Sequence, residues 1–366
     1  MKQVLIVTKI GKNYGALLQA YALKKSFENR GCSVSVLNYC LESTMRTYEL
    51  YPKITGWASF IRFLKAFRVR KETEKSVQRF FQFRKERLNL TREYKSFAEL
   101  EVDAPDADIY VTGSDQVWNP KINFDRAYYL QFGRKDAVRA SYAASIGLSQ
   151  IPEEYEKELM DRIRQIPFRS VRENTAQQIL QHHGVSSSVH IDPTILLDNN
   201  DYDLLAVPPY IQKPYVLLYL LIMPDNIKEY LDELRKLYPN FVFVNIPGNT
   251  YARPLGDIQI RDIGPCEFLG LIRNAEAVLT TSFHGTVFSL IYQKQFMSVL
   301  PRGTGSRISG LLESVDLEKR IAFEGNDVKR MRDTINYGKV VEKMEILRQK
   351  AFNYIDSIVA GNEGGK

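Results

Sequence analysis

Apolar residues fall into two rhythms along the chain, and both halves use them in the same order. Val4–Ile10 (VLIVTKI) is a β-branched run of strand length, followed by the loop Gly11–Gly15 (GKNYG). From Ala16 the spacing becomes helical (ALLQAYALKKSFENRG) and stops at Gly31, and Cys32–Tyr39 (CSVSVLNY) then alternates as a second strand. A continuous apolar run suits a parallel strand covered on both faces, so this succession predicts a βαβ opening of a Rossmann-like sheet. The alternation restarts near Pro208. YVLLYLLIM, FVFVNIP, AVLTTS and QFMSVLP read as strands, separated by DNIKEYLDELRKLYP, CEFLGLIRNAEA and FHGTVFSLIYQ as helices.

Between these halves, DIYVTGSDQVWNP, AVRASYAASIG and PFRSVRENTAQQIL each read as a strand running into small and polar residues. In open α/β sheets ligands bind at the carboxyl ends of strands, so Ser114, Asp115, Gln116, Ser145 and Arg172 are expected pocket positions. The pattern predicts an α/β protein of two Rossmann-like domains facing each other across a cleft, a GT-B-like architecture. Its expected divisions are an N-terminal domain over 1–195 with a helical insertion near 45–100, a linker over 196–207, a donor-binding domain over 208–330 and a helical tail over 331–366. The linker lies in HIDPTILLDNNDYDLLAVPPY, which has the Pro, Asp and Asn density of a connection.

Charge changes this picture at one place. The formal net charge is +7, yet residues 61–98 alone carry twelve basic and four acidic residues, a local +8. Nucleic acid, a membrane surface or an anionic substrate could each answer to it. FIRFLKAFRVRK and SVQRFFQFRKERL interleave Phe and Leu with Lys and Arg, the pattern of an interfacial amphipathic segment, and the competing reading is a solvated helix with its Phe in the core. No nucleic-acid motif accompanies the charge. The other bulk properties are those of an ordinary soluble chain: 366 residues, 44% hydrophobic, with no run that approaches a membrane span and no leader-like start, which predicts a cytoplasmic protein. Cys32, Cys40 and Cys266 have neither disulfide nor zinc spacing, and no metal cluster is apparent.

The candidate chemistry lies in two loops and one histidine. The dinucleotide fingerprint GxGxxG is absent after Val7, which leaves Gly11–Gly15 either as a plain turn or as a helix N-terminus that favours an anionic or polar ligand. Ser282, Phe283 and His284 follow the strand AVLTT and open a helix. A helix N-terminus disfavours imidazolium, so an anionic ligand beside His284 would restore its proton and make it a general acid; the alternative is a capping or buried contact. His182, His183 and His190 read as structural or solvent-facing.

Six stretches in order, NYGALLQAYAL, VTGSDQVWNP, SYAASIG, SVRE, HIDPT and TSFHGTVFSL, together resemble the polysaccharide pyruvyl transferase family. The resemblance implies a GT-B-like fold and transfer of the enolpyruvyl unit of phosphoenolpyruvate onto sugar hydroxyls as a ketal, in bacterial capsular, exo- or cell-wall polysaccharide. No cofactor is implied. The family's SVRD-type arginine maps to Arg172 and its Arg-x-His histidine to His284. Ser282 stands where that Arg would be, and Arg307 is the candidate substitute. On this reading His284 is the acid and Asp115 the base, while Arg172, Ser282, Phe283, Gly285, Thr286 and Arg307 bind the donor. Asn13, Tyr14, Gly15, Gln19, Ser114, Gln116, Trp118, Asn119 and Ser145 bind the acceptor, with Tyr14 and Trp118 as faces for a sugar to stack on. The acceptor is expected to be lipid-linked, with residues 61–98 touching an anionic membrane at its cytoplasmic face and no nucleic-acid partner. Two other classes stay open: a GT-B glycosyltransferase using a nucleotide sugar, and a non-catalytic protein that binds an anionic polymer.

Overall fold

The computed structural model describes residues 1–122, 124–249, 252, 254–300 and 306–361. Two compact units share the chain. The first comprises Met1–Thr47, Arg84–Leu197 and the chain from Lys343 onward, and the second comprises Tyr48–Phe83 and Asp198–Glu342.

In the first unit, β1 (Gln3–Val7), β2 (Ser33–Tyr39), β3 (Leu90–Tyr94), β4 (Ile109–Thr112) and β5 (Val138–Ser141) form a sheet in the order β3-β2-β1-β4-β5. Every pairing is parallel. Val4 to Val7 are all buried, as a strand covered on both faces requires. A short pair, β6 (Ser170–Val171) and β7 (Ser188–Val189), continues from β5 through the bridges Ala140 to Phe168 and Ala144 to Val171. The helix Tyr14–Glu28 follows β1, and Asn13 caps it by accepting from the Ala16 N–H at 3.0 Å.

In the second unit, β8 (Tyr215–Leu220), β9 (Val242–Pro247), β10 (Ile258–Gln259), β11 (Ala277–Thr280), β12 (Gln295–Val299) and β13 (Ile321–Ala322) pair in the order β10-β9-β8-β11-β12-β13, again all parallel. Counted from its own first strand, this is the Rossmann order 3-2-1-4-5-6. Val216, Leu218, Phe243, Leu279 and Met297 form the centre of its core.

The expected divisions of the chain need two corrections. The segment near 45–100 is not one helical insertion in the first domain. Its helices Trp57–Arg68 and Arg70–Arg87 are followed by β3, an edge strand of the first sheet, and residues 48–83 pack with the second unit. Ser76 Oγ donates to the Ile263 carbonyl at 2.8 Å, and Arg79 pairs with Glu267 at 3.3 Å. Nor is the C-terminal stretch a separate tail. The helix Tyr337–Ala360 returns to the first unit, where Arg348 Nε donates to the Ile195 carbonyl and Tyr354 OH to the Ser141 carbonyl, both at 2.9 Å. Among the described residues no helix is long and apolar enough to cross a membrane.

Candidate functional site

In a doubly wound sheet, ligands bind beyond the carboxyl ends of the strands where the order reverses. That point lies between β1 and β4 in the first unit and between β8 and β11 in the second. The sequence motifs gather at these two places.

In the first unit a buried polar network supports the end of β4. Arg172 Nη1 donates to Asp192 Oδ2 at 2.8 Å and to Ser114 Oγ at 3.2 Å, and Ser114 Oγ itself donates to Asp192 Oδ2 at 2.9 Å. Thr194 donates to Asp192 Oδ1 through its backbone N–H at 3.0 Å and its hydroxyl at 2.6 Å. Glu173 Oε1 accepts from Ser145 Oγ, Ile146 N–H and Gly147 N–H at 2.9–3.0 Å. Gln19 Nε2 donates to Thr8 Oγ1, which donates to the Ser114 carbonyl. Burial opposes the charge on Arg172, but Asp192, Glu173 and Asp115 outweigh it, so the guanidinium is held firmly protonated. Side-chain exposures of 2% for Arg172 and 0% for Asp192 make this an internal ion pair.

The network positions Asp115, which sits in the left-handed region at φ 74°. Its carbonyl accepts from the Val117 and Ser145 N–H groups, and its Oδ1 accepts from Gln116 N–H at 2.8 Å. Aspartate tolerates this backbone conformation better than most residues. Asp115 faces a cavity of about 280 Å³, also lined by Lys9, Lys12, Asn13 and Thr44. Burial lowers the pKa of both lysines, and Asp115 partly offsets that for Lys9.

In the second unit, His284 stands half-buried in the first turn of the helix Phe283–Ile291, directly after β11. Ser282 caps this helix, accepting from Gly285 N–H at 3.3 Å, and its own N–H donates to Thr280 Oγ1 at 3.0 Å. A Cβ on Gly285 would lie 2.3 Å from Thr280 Oγ1, so glycine lets the helix press onto the strand. Thr286 Oγ1 bonds Ser298 Oγ at 2.7 Å, fixing the same turn to β12. Arg307 lies 6.0 Å from the centroid of the Phe283 ring, at the reach of a cation–π contact, which places a cation beside the residue preceding His284. A larger cavity of about 590 Å³ in this unit is lined by Val207–Lys213 and Ile258–Ile260. It includes Val242, at the amino end of β9, and no residue from the carboxyl ends of β8 or β11.

Comparison with known proteins decides the family. The family model for polysaccharide pyruvyl transferase matches residues 13–301. The chain belongs to the polysaccharide pyruvyl transferase family. It is therefore a transferase of polysaccharide biosynthesis. No curated protein sequence matches it. Among solved structures it is similar to a protein reported as a UDP-N-acetylglucosamine 2-epimerase from Listeria monocytogenes, at 11% identity and TM-score 0.54, covering 99% of this chain and 97% of the other. A second UDP-N-acetylglucosamine 2-epimerase gives 11% identity and TM-score 0.54, covering 100% and 98%. At that identity the likeness shows the fold alone, which is of the GT-B type.

Placed in the pyruvyl transferase structure, the residues expected from sequence divide into surface and scaffold. Asn13, Tyr14, Asp115, Gln116, His284 and Arg307 retain exposure. Trp118 does not: it is fully buried, stacked on Tyr129, with its Nε1–H donating to the Tyr128 carbonyl. It has no face for a sugar. Gly15, Gln19, Ser114, Asn119 and Ser145 are likewise buried, their small or amide side chains being used in packing and internal hydrogen bonds. Ser282, Phe283, Gly285 and Thr286 are buried and shape the turn that carries His284. His190 is neither free nor at the surface. It is stacked 4.5 Å from Tyr354 and bonded to Ser170 Oγ at 2.8 Å, and burial, aided by Lys350, pushes its pKa down to about 4. Lys9 and Lys12 were missed, although both flank the glycine that opens the loop after β1.

Proposed function

We propose that this transferase moves the enolpyruvyl unit of phosphoenolpyruvate onto a pair of sugar hydroxyls to form a pyruvate ketal, in bacterial capsular, exo- or cell-wall polysaccharide. The observation that carries the reading is the turn at Ser282–Gly285. A partly buried imidazole on a helix N-terminus, next to a ring that Arg307 approaches, suits an acid acting on an anionic donor. In this scheme Arg307 binds the donor's anionic groups. His284 protonates the methylene carbon, leaving an oxocarbenium-like centre at the neighbouring carbon. Asp115 takes the proton of the first sugar hydroxyl as its oxygen bonds to that centre. Phosphate departs with its bonding electron pair, and the second hydroxyl closes the ketal, giving up its proton to the released phosphate. One phosphoenolpyruvate and one diol thus yield one ketal and one phosphate. No cofactor enters the scheme. Arg172, whose Nη1 is already bonded to Asp192, acts here as a positioning residue for the Ser114–Asp115 turn rather than as a donor ligand.

The acceptor in this reading is a lipid-linked saccharide at the cytoplasmic face of the membrane. The basic segment supports it in a narrower form than residues 61–98. On the helix Trp57–Arg68, Trp57 (76% exposed), Ile61, Leu64 and Phe67 turn outward while Ala66 is buried, and Arg62, Lys65 and Arg68 are exposed among them. In the following helix Phe80 and Phe83 are buried and Phe81, though 40% exposed, stacks on Tyr48, so that helix gives most of its aromatics to packing. Exposed aromatics among cations suit an interfacial helix, each basic residue near an anionic surface adding about 1 kcal/mol. Replacing Arg62, Lys65, Arg68 and Arg70 with Gln should lower co-sedimentation with anionic liposomes at low salt. Equal, negligible binding by both forms in every condition removes the membrane from the account.

The function itself is tested by phosphate release from phosphoenolpyruvate with a panel of lipid-linked saccharides, run beside nucleotide sugars. Acceptor-dependent phosphate release is expected. Turnover of a nucleotide sugar with phosphoenolpyruvate untouched would replace this reading with glycosyl transfer.

A further inference from the structure

Of the four strands at the two reversals, three run out into small or polar residues. β1 leads into Thr8 and Lys9, β4 into Gly113 and Ser114, and β11 into Thr281 and Ser282. β8 leads instead into Leu221, Ile222 and Met223, which are 44%, 51% and 45% exposed although every residue of the strand itself is buried. Single exposed apolar side chains are ordinary, but three in succession at the carboxyl end of a central strand put apolar surface where a ligand binds. The segment is held in place. Ile222 N–H donates to Thr281 Oγ1 at 3.2 Å, and Thr281 N–H donates to the Tyr219 carbonyl at 3.2 Å. A Cβ on Gly248 would lie 3.2 Å from Leu221 Cα and 3.0 Å from the Leu220 carbonyl oxygen, so glycine lets the loop after β9 lie close against this backbone. Thr281 precedes Ser282, the cap of the helix that carries His284, so one hydrogen bond ties the apolar segment to the turn of the proposed acid.

The chemistry proposed at that turn needs a dry surface. Protonation of the donor's methylene carbon leaves an oxocarbenium-like centre that water attacks as a sugar hydroxyl does, and a site protects such an intermediate from hydrolysis by excluding water. The hydrolytic branch balances without a further reactant. The oxygen of water bonds to the central carbon and loses one proton to solvent. The carbon–oxygen bond to phosphate then breaks with its electron pair going to phosphate, and the remaining hydroxyl proton passes to that phosphate, giving free pyruvate. Polar side chains at the end of β8 would hold water there, whereas two aliphatic side chains and a thioether offer it little to bond. We propose that Leu221, Ile222 and Met223 form an apolar cover that keeps water from the central carbon of the donor, and so decide between transfer to the sugar and hydrolysis to pyruvate. The proposal rests on the reading of His284 as the acid of pyruvyl transfer. None of the three residues moves a proton; they act by what they exclude.

The test measures phosphate, ketal and free pyruvate together while the full chain turns over phosphoenolpyruvate with the saccharide of the panel that it uses fastest, at saturation. Wild type is compared with a Leu221→Ser, Ile222→Ser, Met223→Ser triple variant and with Ile222→Leu, each checked for a native unfolding midpoint. Wild type should release one phosphate per ketal. The triple variant should consume phosphoenolpyruvate within about threefold of the wild-type rate while free pyruvate per ketal rises by about tenfold or more, and Ile222→Leu should keep the wild-type ratio. A merely structural role would lower ketal and phosphate together and leave their ratio at one, which overturns the cover. A raised KM for the saccharide with that ratio still at one overturns it as well, because the segment would then bind an apolar part of the acceptor. A wild type that releases no phosphate from phosphoenolpyruvate with any saccharide would end pyruvyl transfer itself, and the cover with it. Ketal made by wild type and triple variant in the same ratio to phosphate ends the cover alone.

Discussion

Both sheets bring their first and fourth strands side by side, yet the two edges are furnished with opposite chemistry. Beyond β1 and β4 lie Lys9, Lys12 and Asp115, supported from beneath by the buried pair Arg172–Asp192. Beyond β8 and β11 lie hydroxyls, one imidazole and the exposed apolar residues Leu221, Ile222 and Met223, with Ile222 N–H bonded to Thr281 Oγ1. The first edge holds fixed charge and spends its buried ions on rigidity. The second holds one group suited to moving a proton near neutral pH. Fixed charge of both signs suits the first edge to holding a ligand in place, and a histidine with one cation nearby suits the second to changing a ligand's protonation.

The comparison breaks most clearly at the two residues that define it. His284→Ala should lower turnover by about 10²- to 10⁴-fold, the usual loss for a positioned proton donor, with the unfolding midpoint little changed. Activity within threefold of wild type, measured as phosphate release from a folded variant, would take the acid role away from His284. Arg172→Ala should do the reverse. Removing one member of a buried pair costs about 3–5 kcal/mol of stability, readable in urea unfolding, while phosphoenolpyruvate affinity per folded molecule holds steady. Lost affinity with unchanged stability would return Arg172 to donor binding.

The buried network also gives the first unit a pH dependence. His190 is neutral in the fold down to about pH 4, whereas in the unfolded chain it protonates near its ordinary value. Above about pH 6.5 both states are neutral and His190 adds no slope; as pH falls from there toward 4 the unfolded state binds the proton first, and about 2–3 kcal/mol of stability is lost. His190→Gln should flatten that part of the unfolding profile, and an identical profile in the variant would assign the acid sensitivity elsewhere. The smallest effect is expected at Asn13→Ala, which removes the cap of the helix beside the lysines at a cost of about 1 kcal/mol, seen as a lower thermal midpoint. No shift at all would mean that the loop, rather than the cap, fixes that helix.

Periodicity revealed the sheets where strands are apolar throughout, as in VLIV and YVLLYL, because a parallel strand with helices on both faces has nowhere to put a polar residue. It missed LTREY, an edge strand with Arg92 and Glu93 exposed, and the two-residue strands Ile258–Gln259 and Ile321–Ala322, which are too short to show a period. The position of His284 was legible because strand, cap and helix follow one another in sequence. Arg172 was read as a ligand because its partner Asp192, twenty residues away, is joined to it only by the fold. Trp118 was misplaced for a related reason: an aromatic at a strand end looks the same whether it faces a sugar or Tyr129.

The central claim is pyruvyl transfer with His284 as the acid, and the most direct measurement follows isotopically labelled phosphoenolpyruvate, its central carbon marked, into a lipid-linked saccharide. The account predicts a labelled ketal carbon on the saccharide, one phosphate released per ketal, and neither product above background with His284→Ala. A label that stays in phosphoenolpyruvate while a nucleotide sugar is consumed, or a ketal formed equally well without His284, would contradict it.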